Sequence, residues 1–236
     1  MSFESGVAQV DELREEVAVG CRVLGAAEQS DLVWGHLSVR DPDGRGVWMK
    51  ASTYGFEEID AAKVLLVDRD GDVVEGDGRR HAEYPIHTEI MAARPNISAV
   101  VHTHSPAAVA LGATGQPLLP VSHEGTLFVP PDIPRFTITG DLILTAELGG
   151  ALAATLGNRN AALMVNHGVV VVGRDVRTAV VTTVLLDRAC RMMLEVLAAG
   201  GPKHWSSAEE ALDKRAHCYS DPLISHAWNY LRRRLG

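Results

Sequence analysis

From residue 7 to residue 27 the apolar side chains fall at Val10, Leu13, Val17, Cys21 and Leu24. This three-and-four spacing marks one face of a helix and predicts an amphipathic helix there. The pattern then changes period. Leu32 to Val39 and Gly46 to Lys50 read as two strands around the turn Asp41-Pro-Asp-Gly-Arg, with Pro and Gly supplying the turn geometry. Val64 to Val67 and Asp72 to Glu75 read as a second pair around Asp70-Gly71. Pro85 to Arg94 has Pro in its first turn and Pro95 just past its end, which predicts a helix. Val100 to His104 is a short run of β-branched residues and predicts a buried strand. Ala161 to Val165 and Val169 to Gly173 predict strands on either side of Asn166-His167-Gly168. A long helix follows from Asp175 to Ala199, closed by Gly200-Gly201. Ser207 with Glu210 suggests a capping box opening a further helix.

Hairpins with helices outside them suggest an α/β sandwich, not a doubly wound sheet. The early strands carry no GxGxxG turn and the chain has no GxxxxGK[ST], so nucleotide-binding folds lack support. No repeat or low-complexity linker divides the 236 residues, which are expected to form a single domain, 1–236. The C-terminal segment 204–236 is expected to pack on it or on a neighbouring subunit. Its Arg232-Arg233-Arg234 reads as a solvated helix end.

Charge and cysteine usage narrow the function classes. A formal charge of −8 argues against a general nucleic-acid binder. Cys21, Cys190 and Cys218 are odd in number and lack CxxC spacing, so no disulfide framework or zinc ribbon is expected, and a reducing compartment fits. Met1-Ser-Phe-Glu-Ser-Gly has no secretory pattern, and no apolar run reaches transmembrane length. Together these predict a cytoplasmic protein without membrane or nucleic-acid partners.

The candidate chemistry lies at the end of the buried strand, in Ala99-Val-Val-His102-Thr-His104-Ser-Pro. Side chains alternate along a strand, so His102 and His104 point the same way. Two converging imidazoles make half of a divalent metal site.

Three further segments surround this pair with a recognisable order. Glu83 is followed by Pro85-Ile-His-Thr-Glu and Ala93-Arg-Pro-Asn. Val100-Val-His-Thr-His-Ser-Pro-Ala-Ala comes next, and then Val165-Asn-His167-Gly. With Gly35-His-Leu-Ser38-Val-Arg40 near the start, the chain resembles the class II aldolase/adducin family over roughly residues 7 to 200. The resemblance implies a central, mostly antiparallel sheet between helices, an α/β/α sandwich. It also implies a homotetramer with sites at subunit interfaces and one divalent ion per subunit (Zn, Mn, Fe or Co). His102, His104 and His167 would be the ligands. Glu83 would stand beside the ion as ligand or general acid/base. Three neutral imidazoles leave a divalent ion positively charged with open positions, which suits a substrate offering two neighbouring oxygens.

Each residue also has a plainer reading. Glu83 suits the N-terminus of the helix that starts at Pro85, and Asn-His-Gly suits a turn. His81, His87 and His123 read as polar neighbours, and Arg94 as a group at a helix end.

Two segments point away from a sugar phosphate. Aldolases of the family tend to have Gly-Asn-(Leu/Ile)-Ser and a Ser-Ser pair before the acidic residue, where this chain has Gly35-His36-Leu37-Ser38 and Arg80-His81-Ala82-Glu83. Fewer hydroxyl donors and more basic groups fit a small carboxylate-bearing substrate. Lys50, Ser52, Arg79, Arg80, Ser38 and Tyr219 are the candidate contacts, and Tyr230 a further one, with Tyr219 and Tyr230 offered from a neighbouring subunit. Some relatives decarboxylate hydroxylated aromatic or hydroxypyridine carboxylic acids, so the resemblance implies a metal-dependent carbon–carbon lyase of that type. Glu83 or His81 would deliver the proton. Three alternatives stay open: retro-aldol cleavage or epimerisation of a hydroxy-acid or sugar phosphate, a non-haem iron oxygenase, and a non-catalytic adducin-like interaction module.

Overall fold

The structure, a computed structural model, describes residues 3–236, with side chains from Val10 onward. Met1 and Ser2, read above as part of an N-terminus without a secretory pattern, lie outside the described residues. The chain begins with helix α1 (Phe3–Ala26) and a four-strand meander: β1 (His36–Arg40), β2 (Val47–Lys50), β3 (Val64–Val67) and β4 (Val73–Glu75). Helix α2 (Tyr84–Ala93) leads into β5 (Ala99–Thr103). Helices α3 (Pro106–Thr114) and α4 (His123–Thr126), strand β6 (Arg135–Phe136) and helix α5 (Ala146–Leu156) follow. The hairpin of β7 (Ala161–Met164) and β8 (Gly168–Gly173) precedes α6 (Val176–Ala198), α7 (Ala208–Cys218) and α8 (Asp221–Arg233).

The eight strands form one sheet in the order β4-β3-β2-β1-β5-β8-β7-β6. All neighbours are antiparallel except β6 and β7. Alternation sends successive side chains to opposite faces, and each face has its own core. Val17, Cys21 and Leu24 of α1 pack with Leu37, Val39, Val101 and Val171, together with α6 and Trp228 of α8. Ile86 and Ile90 of α2 and Leu152 and Leu156 of α5 pack with Val100, Val170 and Val172 on the other face. The result is the α/β/α sandwich with a mostly antiparallel sheet that the pattern and the resemblance predicted. Gly149 lets α5 approach α2 closely, since a Cβ there would sit 2.5 Å from the Pro85 carbonyl oxygen.

The strands differ from expectation mainly at their ends. Leu32 to Gly35 is not extended. Leu32 (φ 51°) and Gly35 (φ 75°) lie in the left-handed region, and the Trp34 N–H donates to the Asp31 carbonyl at 2.9 Å. A tight turn therefore precedes β1. His104 falls just beyond β5, where Ser105 caps α3 by accepting from the Ala108 N–H. Helices α3 and α5 run through Ala- and Gly-rich sequence without a clear polar face, which is why period alone did not find them. No helix among the described residues is long and apolar enough to cross a membrane. Cys21 and Cys190 are buried free thiols, each pushed up to about 12 by burial, and Cys218 is a half-buried free thiol.

Candidate metal centre

Register brings the site together. β1 pairs with β5 so that His36 lies opposite His102 and Ser38 opposite Val100. Directly opposed residues share a face, so His36, Ser38 and His102 all point towards the layer that contains α2. Next to β5, β8 starts at Gly168, directly after the turn that carries His167, with Asn166 at φ 62°. Gly168 has to be small. A Cβ there would lie 2.6 Å from the Thr103 carbonyl oxygen and 2.8 Å from His104 Cδ2.

Glu83 is the residue immediately before α2, but its side chain does not cap the helix. It reaches instead into a cluster with His102, His104 and His167, whose nearest donor atoms all lie within 4.8 Å of one another. Its carboxylate is 3.5 Å from His167 Nε2, 3.7 Å from His102 Nε2 and 3.9 Å from His36 Nε2. Oε1 also accepts the Ile143 N–H at 2.8 Å. Burial pushes this carboxyl up, but the surrounding imidazoles of His167, His36 and His102 outweigh it and hold the group well below the usual carboxylate range.

Hydrogen bonding fixes two of the rings. His102 Nδ1 is 2.9 Å from the Val169 carbonyl oxygen, and His104 Nδ1 is 2.9 Å from Asp31 Oδ2. Both partners can only accept, so each Nδ1 carries the proton and each Nε2 offers a lone pair. Those two Nε2 atoms are 3.0 Å apart. Two lone pairs converging at that distance repel unless a cation lies between them. Tetrahedral ligands at about 2.05 Å from zinc are themselves about 3.3 Å apart. His167 adds a second sign, because both of its ring nitrogens are buried with no hydrogen-bond partner among the described residues. An orphaned imidazole beside two aimed lone pairs and a carboxylate is a donor set that fits a divalent ion. Burial, the leading cause, lowers His102 to about 3, so this ring stays in its neutral, ligating form.

Two clefts open beside the cluster and share Trp34 and Leu142 as walls. One, about 460 Å³, reaches His104, His167 and Asp31. The other, about 340 Å³, reaches Glu83, His36, His81, Ser52, Arg79 and Arg80. Of these side chains, Arg79 is exposed. Arg80 is already engaged, donating to the Gly71 and His81 carbonyls and lying 4.3 Å over the Tyr84 ring.

The remaining candidates lie elsewhere. Lys50 does not line the cleft. It is wholly buried, with Nζ 3.1 Å from the Val33 carbonyl and 3.2 Å from His81 Nε2. Burial lowers its ammonium to about 8 and, chiefly, lowers His81 to about 3. Ser38 is also fully buried and bonded to His87, not open to the cleft. Tyr219 lies in a separate cleft with Arg94, Arg174 and Asp221, away from the cluster in the same chain. Tyr230 is exposed on α8. His123 lies 3.2 Å from Cys218 Sγ. Arg94 is the C-cap of α2, its backbone N–H donating to the Ile90 carbonyl, while its guanidinium donates to the Arg159 carbonyl in the turn beyond α5. Asp31, Ile143 and His36 were not read as site residues. Nothing local marks Asp31 or Ile143, whereas His36 is visible in Gly35-His-Leu-Ser as a polar residue on a buried strand.

Residues 15–194 match the family model described as the Class II Aldolase and Adducin N-terminal domain. A 3,4-dihydroxyphthalate decarboxylase from Arthrobacter keyseri is 30% identical over 203 residues, covering 80% of this chain and 80% of that protein. A 4-hydroxy-3-prenylphenylpyruvate oxygenase/4-hydroxy-3-prenylbenzoate synthase from Streptomyces roseochromogenus subsp. oscitans is 33% identical over 200 residues, covering 83% of this chain and 70% of that one. Among solved structures, an L-fuculose 1-phosphate aldolase from Glaciozyma antarctica PI12 superposes with a TM-score of 0.85 at 24% identity. The match covers 100% of this chain and 92% of that chain, a likeness of fold.

Proposed function

The chain belongs to the class II aldolase and adducin family, and from that premise we propose that it is a metal-dependent carbon–carbon lyase that decarboxylates a hydroxylated aromatic or hydroxypyridine carboxylic acid. One observation carries the reading. The Glu83, His102, His104 and His167 cluster opens into clefts walled by Trp34 and Leu142, surfaces suited to a flat ring. The decarboxylase named above supports the same reaction class.

His102, His104 and His167 hold the ion, and Glu83 stands beside it as a fourth ligand or as the acid/base. When bound, the ion supplies positive charge that draws electron density towards the substrate's oxygens. Arg79 and Ser52 orient the substrate carboxylate from the cleft wall. Glu83 takes the proton of the substrate hydroxyl. As carbon dioxide leaves, the ring carbon keeps the electron pair of the broken bond and receives that proton from Glu83. His81, in the same cleft, is neutral, and with Lys50 Nζ 3.2 Å from its Nε2 it is the second proposed route, relaying a proton from the Lys50 ammonium to that carbon.

We further propose a cytoplasmic homotetramer with its sites at subunit interfaces. The exposed apolar side chains of Trp34, Ile138, Leu142 and Leu144 support assembly beside the clefts.

The test is metal content by elemental mass spectrometry on protein purified without chelator. Carbon dioxide release from a panel of hydroxylated aromatic carboxylates, 3,4-dihydroxyphthalate among them, completes it. About one divalent ion per chain and metal-dependent release support the proposal. No metal uptake on reconstitution refutes it and leaves the interaction module. Bound iron with dioxygen consumption favours the second reading, an oxygenase, which the similarity to the Streptomyces oxygenase supports.

A further inference from the structure

Behind Glu83, and reaching His102 through His36, whose ring centroid is 4.9 Å from that of His102, lies another set of buried polar groups. Ser38 and His36 are two positions apart on β1 and share its α2-facing side, and His87 projects from α2 to meet them. Ser38 Oγ is 2.6 Å from His87 Nδ1, and His87 Nε2 is 2.6 Å from His36 Nδ1. His36 Nε2 then faces Glu83 Oε2 at 3.9 Å. All three side chains are at most 2% exposed.

Each contact uses one proton, so neutral rings allow only two orientations of the chain. In the first, the Ser38 hydroxyl donates to His87 Nδ1, His87 Nε2–H donates to His36 Nδ1, and His36 Nε2–H faces Glu83. In the second every bond is reversed. His36 then turns a lone pair towards a carboxylate, and the Ser38 hydroxyl hydrogen has no acceptor among the described residues. The second arrangement leaves a buried donor unpaired and sets two electron-rich atoms against each other, both unfavourable in a dry interior.

We propose that Ser38, His87 and His36 form a one-way hydrogen-bond chain that holds His36 as an Nε2–H donor aimed at Glu83 Oε2, which makes His36 a positioning residue for that carboxylate. Oε1 is held by the Ile143 N–H. With Oε2 drawn towards His36, the carboxylate plane is set from both sides, and its remaining lone pairs face the cluster and the cleft. At 3.9 Å the contact is longer than a hydrogen bond, and it acts as an N–H dipole directed at the carboxylate in a buried, low-dielectric setting. The assignment of Glu83 as the group that moves a proton rests on the proposed decarboxylase reading, whereas the direction of the chain does not.

The first experiment is a long-range ¹⁵N–¹H correlation spectrum of ¹⁵N-histidine-labelled protein loaded with zinc, or metal-free if no zinc is taken up. Spectra of His36→Gln and His87→Gln assign the two rings. Both His36 and His87 are expected as Nε2–H tautomers. Either ring found as the Nδ1–H tautomer overturns the proposal. The second is a pair of variants assayed by decarboxylation. His87→Leu removes the donor to His36 and is expected to lower kcat about tenfold while KM stays within about twofold. His87→Gln keeps an amide donor for His36 and an oxygen for Ser38, and is expected to restore kcat to within about threefold of wild type. Equal losses in the two variants overturn the positioning role. If wild-type protein decarboxylates no acid of the panel, the reaction reading fails, and the spectrum still decides the direction of the chain.

Discussion

Replacing Asp31 with alanine tests whether the fourth side of the cluster is held by a carboxylate that sequence reading did not select. Asp31 Oδ2 accepts from His104 Nδ1 at 2.9 Å and so directs the His104 Nε2 lone pair inward. Without it the imidazole has two tautomers open to it, and its ring is free to turn. Outer partners of ligating histidines contribute roughly 10- to 100-fold to metal affinity. Here the side chain of Asp31 is 42% exposed and that of His104 20%. Solvent therefore screens the pair, and the effect belongs at the low end of that range. The expected loss for Asp31→Ala is about tenfold in zinc affinity, equivalent to about 1.4 kcal/mol. Asp31→Asn keeps an accepting oxygen and loses only the charge, so its loss is expected to be smaller, about threefold. The turn itself remains in both variants, because the Trp34 N–H bonds to the Asp31 backbone. Competition against a chromophoric chelator at pH 7 measures all three affinities. An Asp31→Ala affinity within about twofold of wild type, or a larger loss in Asn than in Ala, refutes the reasoning.

Three further outcomes are expected. Glu83→Gln keeps an oxygen for the Ile143 N–H but loses the proton-accepting charge. Turnover is expected to fall about 10² to 10⁴-fold with an unchanged circular dichroism spectrum, and undiminished turnover removes Glu83 from the chemistry. Gly168→Ala forces a Cβ against the Thr103 carbonyl and the His104 ring. A stability loss of about 1–3 kcal/mol together with weakened zinc binding is expected, and unchanged values for both in denaturant titration and chelator competition contradict the packing argument. Lys50→Met removes a buried ammonium whose folded-state value is lowered from 10.5 to about 8. Protonation in the folded state costs stability below pH 8, and that cost fades as pH rises from about 8 towards 10.5. Wild-type stability should therefore rise relative to Lys50→Met across that window, by an amount on the order of 3 kcal/mol, and a constant difference in urea midpoints refutes the burial effect.

Much of the fold was readable because local period encodes which face a residue shows. The three-and-four spacing of α1 and the β-branched runs of β3, β5 and β8 state their burial directly, and the turns at Asp70-Gly71 and Asn166-His167-Gly168 state where the chain reverses. Helices α3 and α5 were missed because they are apolar on most sides, so no polar face announces them. At the candidate site, the direction shared by His102 and His104 follows from strand geometry alone, and the grouping of Glu83 and His167 with them came from the resemblance to the class II aldolase/adducin family.

The amino-acid sequence by itself determined every strand but β6, the helices α1, α2, α6 and α7, the shared direction of the paired histidines, and an acidic net charge without a nucleotide-binding motif. Only tertiary structure decided what surrounds those histidines. The pairing of β1 with β5 sets His36 against His102, a loop 60 residues after Glu83 gives that carboxylate the Ile143 N–H, and a turn 73 residues before His104 supplies Asp31. It also placed Lys50 and Ser38 inside the protein and Tyr219 in another cleft. The physical reason is that local pattern reports the face on which a side chain lies. Strand register and the packing of a helix over the sheet choose which distant group meets it there.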